Sequence, residues 1–149
     1  MNVVLITPSG AAEVAVERLG LSGGADDVTI VSASPADAAA GGKLSHLRLP
    51  EAMPGSSGLA RRLRRSAIGR NLIRLSPWDD GRRLAAAARR SDRFRTAAAE
   101  ADLIVALDRD AILTAWTAAR RWARPDAHVV FGAAPAEALR NAARDDASG

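Results

Sequence analysis

Five short apolar runs punctuate the chain, each of five to seven residues and each closed by glycine, proline, serine or a charge. "VVLIT" (residues 3–7) is unbroken and β-branched, and Pro8-Ser9-Gly10 ends it. An apolar run this short, bounded by turn residues, predicts a strand buried on both faces. "VTIVSAS" (28–34) predicts a second such strand, "LIVAL" (103–107) a fourth, and "HVVFG" (128–132) a fifth that Gly132 closes. "LSHLRLP" (44–50) alternates apolar and polar positions, so it predicts a third strand nearer an edge of the sheet. Val4, Ile6, Ile30, Leu103, Val105 and Val130 are the expected core of these strands.

Between the runs the period changes. Helical spacing predicts helices over 11–19, 59–74, 80–99, 109–122 and 135–144, and Pro35 or Ala36 starts a short helical turn. Strands that alternate with helices call for a parallel sheet covered on both faces. Right-handed crossovers then favour a three-layer, doubly wound α/β fold, Rossmann-like, with five parallel strands in the order 3-2-1-4-5. The 149 residues suit a single domain spanning 1–149. "PEAMPGSSG" (50–58) is the most linker-like stretch, expected to be a mobile loop inside that domain.

Composition narrows the setting. No apolar run approaches the roughly 18 residues of a membrane span. The start "MNVVLITPSG" lacks the basic and long apolar regions of a secretory signal, so a cytoplasmic location is expected. There are no cysteines, which excludes disulfides and thiolate metal sites. His46 and His128 are the only histidines and have no metal-like spacing, so neither a metal nor a cofactor is expected.

The net charge of +4 is unevenly spread. Residues 61–95 carry twelve arginines against three aspartates, while both ends of the chain are mildly acidic. Within "GLARRLRRSAIGRNLIRLSPWDDGRRL", Leu59, Leu63, Ala67 and Leu72/Ile73 fall near helical spacing among the arginines. A basic amphipathic stretch of this kind is either a solvated helix packed by its leucines or a contact for an anionic surface through Arg61, Arg62, Arg64 and Arg65. A strong arginine and alanine bias is also what a GC-rich genome produces. Aromatics make up 3% and tyrosine is absent, which argues against a base-stacking platform for nucleic acid.

Two stretches carry candidate chemistry. "TPSG" matches neither the dinucleotide fingerprint nor the P-loop pattern, so a dehydrogenase-type nucleotide site is excluded. Ser9 either simply caps the next helix or, with Gly10, opens a helix start to a ligand. In "ALDRD" three charges stand where a buried strand hands over to a helix. Asp108 and Asp110 suit a helix cap and its first turn. Alternatively Asp108 accepts a hydrogen bond from a sugar hydroxyl or acts as a general base, and Arg109 holds an anionic group. Ligands of open parallel sheets bind beyond the carboxyl ends of the strands, where the order reverses. Strands 1 and 4 meet there in the expected order, which brings Ser9, Gly10, Asp108 and Arg109 together, with Gly132 at the same edge.

Taken together, "NVVLITPSG", the basic central helices and "ADLIVALDRDAILTAW" followed by "HVVFG" resemble the N-terminal, acceptor-side half of a GT-B glycosyltransferase. The resemblance implies two Rossmann-like domains facing across a cleft, with the nucleotide-sugar site mainly in the C-terminal one. The chain has no room for that second domain. A partner chain with a nucleotide-sugar-binding domain is therefore expected, and no activity without it. The resemblance also implies that the basic helix meets the inner face of the membrane peripherally. A non-enzymatic domain that binds an anionic partner through its arginine-rich face is the other expectation the residues carry.

Overall fold

The apolar runs do form the sheet. In the computed structural model, which describes residues 1–8, 12–21, 26–33, 44–49 and 79–148, the strands are β1 (Asn2–Ile6), β2 (Asp27–Ser32), β3 (Leu44–Arg48), β4 (Leu103–Ala106) and β5 (His128–Phe131). All pairings are parallel and the order is β3-β2-β1-β4-β5. The described helices are α1 (Ala12–Arg18), α2 (Asp80–Arg90), α3 (Asp92–Glu100), α4 (Ile112–Arg121) and α5 (Ala133–Ser148).

The strands are near-continuous apolar runs because both faces of the sheet are covered. Val4, Ile6, Val31, Ile104 and Ala106 point to one face and pack with Leu84 of α2, Phe94 of α3 and Ala115 of α4. Val3, Leu5, Val28, Ile30, Leu103 and Val105 point to the other, against Val16 of α1 and Ala136 of α5. This is the three-layer, doubly wound, Rossmann-like arrangement. Of the expected core, Val4, Ile6, Ile30, Leu103 and Val105 are buried, whereas Val130 is only half-buried. The reason is position: β5 is an edge strand with a neighbour on one side, so its side chains lose the shelter that β4 enjoys. β3 forms the opposite edge, as its alternation implied.

The helix expected over 80–99 is two. Ser91 breaks it, with its backbone extended and its Oγ accepting a hydrogen bond from Phe94 N at 3.2 Å. Serine followed by aspartate is a start signal as strong as the alanine-rich run before it is a continuation signal. The break turns Phe94 into the core, where its ring meets Trp122 edge-on at 5.8 Å. The stretch 109–122 opens with a tighter 3-10 turn (Arg109–Ala111) before α4 begins. α5 starts earlier and ends later than the expected 135–144, since Pro135 fits a first helical turn. The helix expected over 59–74, the turn at Pro35 or Ala36 and the loop over 50–58 lie outside the described residues. Among the described residues no helix is long and apolar enough to cross a membrane.

One buried cation ties the second layer together. Gly20 ends α1 with φ +59°, a conformation that side chains resist. Arg140 of α5 reaches across to donate to the carbonyls of Leu19 and Gly20, the latter at 2.8 Å. Its Nε also donates to Asp26 Oδ2 at 3.1 Å, and Asp26 Oδ1 lies 3.3 Å from the amino group of Met1. Arginine here satisfies the orphan carbonyls of a helix end and a half-buried carboxylate at once.

Candidate functional site

The order of the strands reverses between β1 and β4, and the crevice beyond their carboxyl ends is where the fold can hold a ligand. The register Val3↔Leu103 through Ile6↔Ala106 carries both chains to that edge side by side. Backbone pairing continues past the strands, with Leu107 N donating to Ile6 O at 3.0 Å and Thr7 N to Val31 O at 3.0 Å. Thr7 and Asp108 are the first polar side chains to emerge. The buried Thr7 hydroxyl donates to Asp108 Oδ2 at 2.8 Å.

Asp108 has a second tie. It is the N-cap of the 3-10 turn, with extended backbone, and its Oδ1 accepts from Ala111 N at 3.0 Å. Capping therefore accounts for one carboxylate oxygen and the Thr7 hydroxyl engages the other. Each oxygen keeps a further lone pair, so the carboxylate can still accept from a ligand. Arg109, next in the chain, is exposed at the same edge.

A second helix start converges on the first. Asp79 caps α2, its Oδ1 accepting from Arg82 N at 3.0 Å. Burial pushes the Asp110 carboxyl up, and the nearby carboxylates of Asp79, Asp108 and Asp80 push it further; Arg109 opposes them. The two helix starts fit so closely that a Cβ on Gly81 would lie 2.9 Å from the Asp110 carbonyl oxygen and 3.2 Å from Asp79 Oδ1. The first neighbour is backbone and cannot swing away. Gly81→Ala would gain up to about 1 kcal/mol of helix propensity in an open helix. Here overpacking outweighs it, and a net loss of about 1–2 kcal/mol is expected in denaturant melts. A rise in stability would mean that the joint is looser than drawn.

Asp108 and Arg109 thus stand at the switch point, and Gly132 stands at the same edge, two strands over from β1. Gly132 has φ +85° and donates its N–H to Ala106 O at 2.9 Å. Ser9, Gly10, Arg61, Arg62, Arg64 and Arg65 lie outside the described residues. The described end of the basic block lies on α2 and α3, where Arg82, Arg89, Arg90, Arg93 and Arg95 are exposed. His46 sits within β3 and His128 starts β5 at the opposite end of the sheet. Sequence reading passed over Thr7 and Asp79. Thr7 was visible only as the polar end of an apolar run, and the signal for Asp79 was an Asp-Asp pair ahead of a helical period.

Among the described residues the carboxylates of Asp79, Asp80, Asp108 and Asp110 gather at this edge, with the Arg109 guanidinium beside them. The helix starts, whose free N–H groups suit phosphate, are here already answered by Asp79 and Asp108. The edge suits a ligand that offers hydroxyl or amino donors. No set of three acidic, histidine or cysteine side chains among the described residues is placed to hold a metal ion. Among the described residues an open cavity of about 440 Å³ lies between α3 and the β2–β3 face, and one of about 390 Å³ at the amino edge beside Asp102, Arg124 and His128. Neither contains the switch-point residues. No family model, curated protein or solved structure matches the chain.

Proposed function

We propose that the chain is the acceptor-side half of a GT-B-like glycosyltransferase, acting with a separate donor-binding half. The observation that carries this reading is the Thr7–Asp108 pair at the β1/β4 switch point, ringed by Asp79, Asp80 and Asp110. An acceptor is a hydroxyl-bearing molecule, and a carboxylate ledge takes hydroxyl donors. A donor sugar nucleotide carries phosphates, which this ledge repels. Asp108 serves as the acceptor for the ligand's hydroxyl and, when the donor half is present, as the base that takes its proton. Thr7 holds the carboxylate in place by its hydrogen bond. Arg109 steadies the ligand from the exposed side.

The test uses the purified chain, methyl glucoside as a hydroxyl-bearing probe and UDP-glucose as a donor probe. Amide shifts at Thr7, Asp108 and Arg109 are expected with the glucoside at millimolar concentrations, with no hydrolysis of UDP-glucose. Asp108→Asn is expected to keep the cap and leave stability nearly unchanged, while reducing the amide shifts. Asp108→Ala removes the cap and the acceptor of the Thr7 hydroxyl together, a loss of about 2 kcal/mol. Turnover of UDP-glucose by the chain alone overturns the half-enzyme reading. Glucoside binding that ignores Asp108→Asn would return Asp108 to capping alone.

A further inference from the structure

The open edge of the sheet carries more apolar surface than an edge strand usually shows. Among the described residues β5 pairs only with β4, and it holds neither proline nor lysine to block its outer side. The register sets Val129 and Phe131 on the same face as Ile104 and Ala106, the face that α4 covers. α4 turns Ala115 and Ala118 into the core and packs against α2 on the side away from β5. Its outer surface is bare: Ile112, Leu113 and Trp116 are exposed, Trp116 by 57%, and on β5 Phe131 is exposed by 56%. Each of the two aromatics leaves on the order of 100 Å² in water. With the three aliphatic residues the patch is about half of the ~800 Å² per partner that a stable interface buries.

We propose that β5 and α4 form a twofold interface between two copies of this chain. A strand edge is self-complementary, because antiparallel pairing of β5 with its copy satisfies the outer N–H and C=O groups of both. The twofold axis then runs perpendicular to the sheet and joins ten strands into one. It also places the two α4 helices on the same face, antiparallel, with Trp116 near the midpoint of each. Charge fits this direction. The start of α4 is acidic, with Asp108 and Asp110 close to Asp79 and Asp80, and its end is basic, with Arg120 and Arg121. Antiparallel helices set the basic end of one copy against the acidic end of the other. Arg120 already lies over the Trp116 ring at 5.5 Å, on the bare side of the helix. The second copy thereby brings guanidinium groups to the rim of the Asp108 ledge, and the proposal stands whether or not that ledge binds an acceptor.

Sedimentation equilibrium on the purified chain, from micromolar to sub-millimolar concentration, reads the outcome. A reversible dimer is expected. Phe131→Lys places a charge on the edge at an exposed position, so the monomer keeps its melting temperature while the dimer is lost. Arg120→Glu and Asp110→Arg are each expected to weaken association about tenfold. A thermal melt of each variant separates a lost fold from a lost interface. The double variant exchanges the charges across the twofold axis and recovers most of the affinity. A parent chain that stays monomeric at the highest concentration overturns the proposal. So does a dimer that persists in Phe131→Lys, or one that the charge exchange leaves unrestored.

Discussion

Replacing Val105 with aspartate is expected to leave the chain unfolded. Val105 stands in the middle of β4, fully buried, with Leu5 of β1 on one side and Val130 of β5 on the other. Around it lie Val3, Ile30 and Leu103, all apolar. A carboxylate there has no partner and takes up a proton instead, and burying even the neutral acid without hydrogen bonds costs several kcal/mol. The lost valine packing adds to that. Domains of this size hold only about 5–15 kcal/mol in reserve. Far-ultraviolet circular dichroism and a thermal melt give the answer, and a cooperative melt near the parent temperature would show that β4 is misplaced.

Arg140→Met is expected to lose about 2–3 kcal/mol, because it removes the buried guanidinium that ties Asp26 to the end of α1, although the Met1 amino group stays beside that carboxylate. Methionine keeps the length and apolar stem, so the loss reports the guanidinium. The Leu19 and Gly20 carbonyls lose a donor at the same time. Asp26→Asn is expected to cost less in that variant than in the parent, the non-additivity that contact predicts. The pH dependence follows from Asp26. Burial pushes its carboxyl up, but hydrogen bonds from Arg140 and the amino terminus outweigh that and hold it below its usual 3.8. A depressed carboxylate stabilises the fold above its unfolded value and loses that contribution as pH falls through the folded one. The parent is therefore expected to lose this contribution as pH falls below about 4. Arg140→Met starts lower at neutral pH and falls less over the same interval. Parallel curves for the two would show that the pair does not titrate as a unit.

The sheet was legible because its inner strands had to be apolar on both faces, the edge strand β3 alternated, and turn residues marked their ends. The strand order followed from handedness rules that hold for any such alternation. What escaped depended on neighbours far along the chain. Thr7 acquires its role only once β1 lies beside β4. Val130 is half-buried on a strand that, among the described residues, pairs with β4 alone. Arg140 reads as one more arginine of an alanine-rich helix, and its burial is decided by a carboxylate and a helix end more than a hundred residues away. The break at Ser91 was local and visible, but the helical period on both sides of it masked a cap. The Asp108 ledge was half legible: capping and ligand binding call for the same residue at the same place, so the sequence carried both, and the hydrogen bond to Thr7 adds a tie that neither reading required.

The pairing of β1 with β4 spans a hundred positions, from Val3 to Leu103. During synthesis β1 can take β2 as a neighbour early, yet its other edge stays open until most of the chain has emerged. The central strand of the sheet is thus the first made, yet it is completed only after β2 and β3 have emerged. Loop closure over that distance slows folding, and the waiting edge is a template for mispairing. Ribosome-bound chains halted before residue 103 are expected to expose Leu5 and its neighbours and to draw chaperones, whereas chains released past Phe131 can close the core in one cooperative step.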